Sequence, residues 1–124
     1  MLNHCWTLAG ALLDVHYLRP PDLTLMDALQ PLTRDHSYGD PLDWRLLLGS
    51  TDSLALESLG AYLLGWDDPT EVETVRLGAS AGLGEARLEA ITLEGADLAD
   101  LPRSAKPDVP HLPADFPPVR IDWR

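Results

Sequence analysis

Residues 43–65 read DWRLLLGSTDSLALESLGAYLLG and hold the two clearest elements of the chain. Trp44–Leu48 is a short apolar run bounded by Asp43 and Gly49, the pattern of a buried strand. Asp52 or Ser53 then supplies an N-cap, because a short polar side chain there accepts from the free N–H groups of a first helical turn. Leu56, Leu59 and Leu63 follow at helical spacing, and Gly65 stands where a helix takes the left-handed residue that ends it.

Upstream, residues 4–18 carry Cys5, Trp6, Ala9, Leu12, Leu13, His16 and Tyr17 at amphipathic helical spacing, with Asn3 as N-cap. Val15–Tyr17 suits a strand as well, and Arg19-Pro20-Pro21 ends either element because proline offers no backbone donor. Asp22 can cap a short helix through Leu23, Met26 and Leu29, stopped at Pro31. Residues 33–43 have turn composition.

Downstream the reading divides. Asp68-Pro69-Thr70-Glu71 has the cap, the N1 proline and the N3 acid of a helix start. The β-branched Val72, Thr74 and Val75 favour a strand over 72–77 instead. Gly78, Gly82 and Gly84 mark a connection, and residues 85–93 alternate with Ala86, Leu88 and Ala90 on one face. Six of the 11 prolines fall between Pro102 and Pro118, and Val119–Trp123 is apolar enough to dock back as an edge strand. The expected fold class is α+β. Two or three helices pack on a small, mostly antiparallel sheet built from 44–48, 72–77, 85–93 and 119–123. Residues 1–101 form one globular domain, and 102–124 form a Pro-rich extended arm.

One internal period stands out. Leu83, Leu88, Leu93 and Leu98 recur every five residues, each with a small or apolar residue two positions earlier: Ala81, Ala86, Ile91 and Ala96. This resembles the pentapeptide-repeat family, whose right-handed β-helices turn the central leucine inward and some of whose acidic members are DNA mimics. The resemblance spans 20 residues, about one coil, and the register breaks at Gly78. A single coil cannot bury its own core, because repeat architectures rely on stacked neighbours.

Charge bounds the partners. The chain carries 20 Asp and Glu against 9 Lys and Arg in 124 residues, a formal charge of −11. Such a surface repels nucleic-acid phosphates and anionic lipid and attracts basic partners, so neither direct nucleic-acid binding nor a membrane partner is expected. The excess is densest at Asp67, Asp68, Glu71 and Glu73, directly after Gly65 and Trp66. An aromatic flanked by carboxylates is what a hot spot for a basic protein needs. Trp66, Asp67, Asp68, Glu71 and Glu73 are therefore the expected partner-binding residues. Asp68 is usable as a helix cap, and the other three have no local base before Arg76; carboxylates so crowded raise one another's pKa.

No cofactor, metal site or catalytic residue is expected. Cys5 is the single cysteine, which rules out an intramolecular disulfide and fits a reducing compartment such as the cytoplasm. The start Met-Leu-Asn-His-Cys-Trp has no basic n-region, and the first apolar run breaks at Asp14, far short of a membrane span. His4, His16, His36 and His111 are scattered, and the first two would lie about 18 Å apart on one helix. Ser50 lacks the G-x-S-x-G setting of a nucleophile elbow, and no Gly-rich phosphate loop precedes the only lysine, Lys106.

The expected function is thus a small acidic binding protein, an immunity-type or other inhibitor occluding a basic surface of a partner protein. Two alternatives stay open. One is a hydrolase-like enzyme using Asp35, His36 and Asp14 or His16. The other is an accessory subunit of a phage or secretion assembly, docked through its Pro-rich arm. The sequence leaves the oligomeric state open.

Overall fold

The computed structural model describes residues 7–33 and 39–107. Three helices, α1 (Leu8–Leu18), α2 (Ser53–Leu63) and α3 (Glu73–Ser80), pack with a two-stranded antiparallel sheet, β1 (Thr24–Ala28) and β2 (Leu46–Ser50). The architecture is α+β. The expected strand at 119–123, the Asn3 cap, and the readings placed on Trp6, Cys5, His4, Asp35, His36 and His111 lie outside the described residues.

Helix α2 is the centre. Its residues Leu54, Ala55, Leu56, Leu59, Ala61 and Leu63 are all buried, a far wider apolar face than the sequence expectation of one leucine stripe. The helix is covered on one side by the sheet and on another by α3. Asp52 is the N-cap, accepting from the N–H groups of Leu54 and Ala55 at 3.0 Å each. The core proper joins Leu54, Val75 and Ala86, with Val72 and Ala79 packed against them.

Four segments depart from the sequence expectation. Residues 23–29, read as a short helix, form β1 instead. Thr24, Met26 and Ala28 alternate inward, and the register sets Met26 against Leu48 and Ala28 against Leu46. Pairing with β2 and burial on α2 outweigh the local capping signal at Asp22, since a period of two buries this face and a helix would not. Strand β2 itself runs 46–50 rather than 44–48, because Arg45 takes a left-handed φ of 53° that no strand continues through.

Residues 72–77 belong to α3, not to a strand. A 3-10 turn at Pro69–Glu71 is capped by Asp68, and the helix follows from Glu73. Val75 is fully buried and shares its face with Val72 and Ala79 against Leu54, so tertiary burial overrides the β-branched propensity. Gly78 lies where α3 meets its neighbours: a Cβ there would come within 2.7 Å of Leu54 Cδ1 and 3.5 Å of Leu13 Cδ2.

Residues 85–93 form no strand either, as they have no partner to pair with among the described residues. Ala86 still points into the core and the Glu85 N–H donates to Asp52 Oδ2 at 2.8 Å, which ties this segment to the start of α2. Beyond it, 3-10 turns recur ten residues apart at Leu88–Ala90 and Leu98–Asp100. Leu83, Leu88, Leu93 and Leu98 are each half-buried, and the last three share a small cavity with Leu59 of α2. The leucine period therefore packs on a helix rather than on a second coil.

Helix α1 is capped by Thr7, whose Oγ1 accepts from the Gly10 N–H at 3.0 Å. It turns Ala9 and Gly10 inward and packs on α3. Leu12 and Tyr17, expected on the buried face, are exposed along with Leu8, Val15 and Leu18. The contact face of α1 is narrow because small residues let the helix sit close, leaving most of its apolar surface outside.

Candidate functional site

The C-terminal end of α2 leaves backbone carbonyls that the helix cannot satisfy itself, and it concentrates partial negative charge there. The chain closes this end in two ways. Locally, Gly65 (φ 104°) reverses the backbone, its N–H donates to the Tyr62 carbonyl at 3.0 Å, and the Trp66 N–H donates to Ala61 at 3.1 Å. Remotely, residues 103–107 return to the same place. The Ser104 N–H donates to the Leu63 carbonyl at 2.8 Å, and Arg103 Nε donates to the Tyr62 carbonyl at 2.8 Å. The Arg103 guanidinium lies over the Tyr62 ring, 4.1 Å from its centroid.

Next to this helix end lies a groove of about 970 Å³. Its apolar wall includes Met26, Trp44, Leu64 and Trp66. Its carboxylates come from four elements: Asp27 on β1, Glu57 on α2, Glu71 on the 3-10 turn and Glu73 on α3. Glu57 Oε1 accepts from the Thr74 hydroxyl at 2.7 Å, and Asp27 Oδ1 from the Leu29 N–H at 2.9 Å. Glu73 sits exposed in the first turn of α3, where the helix dipole favours its charge. Only one cation, Lys106, lines the groove; it is ion-paired with Glu71.

The five residues expected from sequence lie in one neighbourhood but differ in what they do. Trp66, Glu71 and Glu73 line the groove. Asp67 is exposed beside it and accepts from Arg103 Nη2 at 2.6 Å. Asp68 is a structural cap: its Oδ1 accepts from the Thr70 hydroxyl at 2.6 Å and the Thr70 N–H at 2.9 Å. Those two hydrogen bonds lower the Asp68 pKa, the reverse of the mutual raising expected for crowded acids. The cluster lacks a local base before Arg76, as expected, and its cations come from far along the chain. Arg103 and Lys106, more than 30 residues downstream, reach Asp67 and Glu71.

Sequence reading missed Tyr62, Glu57, Asp27 and both cations. One signal was present: Arg103 and Lys106 are the only bases between Arg87 and Arg120, and prolines 102 and 107 bracket them. Trp44, expected in the core, is half-buried and faces the groove.

A second, smaller cleft of about 220 Å³ brings His16 near Ser53, Glu57 and Thr74. Ser53 is engaged outside the cleft with the Thr24 hydroxyl at 2.6 Å, and Glu57 accepts from the Thr74 hydroxyl within it. Among the described residues no three His, Cys, Asp or Glu side chains gather in a way that would hold a metal ion. No helix among them is long and apolar enough to cross a membrane.

Residues 2–62, just under half of the chain, are similar to a family described as a domain of unknown function, DUF362. The similarity takes in α1, the sheet and nearly all of α2, and stops short of Trp66, Glu71 and the returning segment. No curated protein and no solved structure matches the chain.

Proposed function

We propose that this chain is an acidic binding protein that takes a basic segment of a partner protein into the groove beside α2. By doing so it occludes a basic surface of that partner, as an inhibitor or immunity-type protein does. The observation that carries the reading is the convergence of Trp44, Trp66 and four carboxylates from separate elements on one apolar groove. Aromatic walls supply contact area that survives salt, and the carboxylates select cations and speed encounter. The net charge of −11 adds long-range attraction for the same class of partner and repels nucleic acid. A cytoplasmic location belongs to this proposal and is supported by the single cysteine, which suits a reducing compartment.

The test is a titration of the full chain with a panel of short peptides that differ only in carrying Arg and Lys, neutral residues or acids. Basic members should bind, with affinity falling as salt rises, and Trp66→Ala combined with Glu71→Lys should abolish binding. Equal affinity for basic and neutral peptides would overturn the reading.

A further inference from the structure

One edge of the groove is built by a returning segment, and that segment is basic. The segment Arg103-Ser104-Ala105-Lys106-Pro107 makes no helix and no strand pairing, yet it is held at four points. Arg103 stacks on Tyr62 and pairs with Asp67; the Ser104 N–H binds the Leu63 carbonyl; Lys106 pairs with Glu71 while lining the groove; and Pro107 lines it too. The fit extends to the backbone. A Cβ on Gly65 would overlap the Lys106 nitrogen, so the glycine that ends α2 also makes room for the segment.

We propose that the ligand of the groove is a segment with arginine and lysine three residues apart, and that residues 103–107 are the chain's own copy, which a partner must displace. This rests on the groove reading above and specifies its ligand. The arginine reads the Tyr62 face, the end of α2 and Asp67. The lysine reads Glu71.

The contacts are strong enough to select a sequence and weak enough to exchange. The Asp67 and Glu71 pairs are solvent-exposed, with Asp67 90% accessible and both partners of the Glu71 pair about half so. Exposed pairs of this kind hold a local segment without locking it. Being tethered, the segment competes at a high effective concentration, so it suppresses weak ligands and admits those that make additional contacts with Trp44 and Trp66.

The experiment uses an N-acetylated, C-amidated peptide copy of residues 103–107 as probe, titrated into the full chain by fluorescence anisotropy. Three proteins are compared: the unaltered chain, Arg103→Ala/Lys106→Ala, and Gly65→Ala, whose methyl takes the place of the Lys106 backbone and so excludes the segment and the probe alike. Far-UV circular dichroism establishes that each is folded. The Arg103→Ala/Lys106→Ala variant should bind the probe about tenfold more tightly than the unaltered chain, since it removes the resident competitor, and Gly65→Ala should bind it more weakly than either. Replacing either the arginine or the lysine of the probe by alanine should cancel that gain, as should Glu71→Lys in the released variant. Equal affinity in the unaltered chain and the double-alanine variant would overturn the displacement proposal and leave the groove reading standing. Absence of binding to any folded form would overturn both.

Discussion

The two ends of α2 are closed by opposite strategies. At its N-terminus one side chain does the work: Asp52 accepts from Leu54, Ala55 and Glu85, and the Ser50 hydroxyl accepts from the Asp52 N–H at 3.0 Å. Everything but Glu85 lies within three residues. At its C-terminus the local turn through Gly65 and Trp66 is completed by Arg103 and Ser104, about 40 residues away and admitted by that glycine. A local cap forms with the helix, whereas a remote cap forms only once the chain has returned. The first is a fixed part of the core, and the second is a separable part resting on the groove.

The largest effect should therefore come from the N-terminal end. Asp52→Ala removes an acceptor from three N–H groups, two of them orphan donors of the helix and one the tie to the segment carrying Ala86. A cap is worth roughly 1 kcal/mol and a charged acceptor more, so a loss of about 3 kcal/mol is expected. Urea unfolding should show a lowered midpoint with an unchanged slope. A cost no larger than that of an exposed surface change would mean that the two ends do not differ in this way.

Gly65→Ala comes next. The residue has φ 104°, which an L side chain adopts only under strain, and its new methyl would force residues 103–107 away. The strain and the lost contacts together should cost about 2 kcal/mol. What sharpens the comparison is where the loss appears. Hydrogen exchange should speed at the Ser104 amide and at the last turn of α2, while the amides of Leu54 and Ala55 stay protected. Uniform deprotection would instead make the two ends one cooperative unit.

This difference also explains what the sequence disclosed. Asp52, Gly65 and the leucines of α2 were legible because capping and helical spacing act over three to four residues. The Asp68 cap was legible for the same reason, while the helix it leads into was not: Val72 and Val75 read as strand, and only Leu54 on a separate element makes a helix there the better burial. β1 failed similarly, since Met26 and Ala28 take their direction from β2 and α2. Of the site, Trp66 and the acids were visible as a cluster. Their cations were not, because nothing local to Arg103 or Lys106 points to a helix end some 40 residues back.

The smallest expected effect is acid sensitivity near the N-terminal end. Glu85, whose N–H binds Asp52, carries a side chain that pairs with Arg87 at 2.9 Å and accepts the Arg87 backbone N–H at 2.9 Å. The Arg87 guanidinium hydrogen bond first, and then that backbone N–H, take the Glu85 carboxyl from its ordinary 4.5 down to about 2. Between those two values the unfolded chain binds more protons than the folded one, so stability rises with pH across the interval. It is fully present above the unfolded value and lost as pH falls through the folded one. Asp68, lowered by Thr70, acts in the same direction. The Glu85 contribution is small because the pair is local and exposed: Arg87 is two residues away and stays near Glu85 even in the unfolded chain, which shrinks the difference between the states. Urea midpoints measured across this acid range should climb with pH in the unaltered chain, and Glu85→Gln should flatten part of that climb. A profile left unchanged by Glu85→Gln would mean that this local pair carries none of the acid sensitivity.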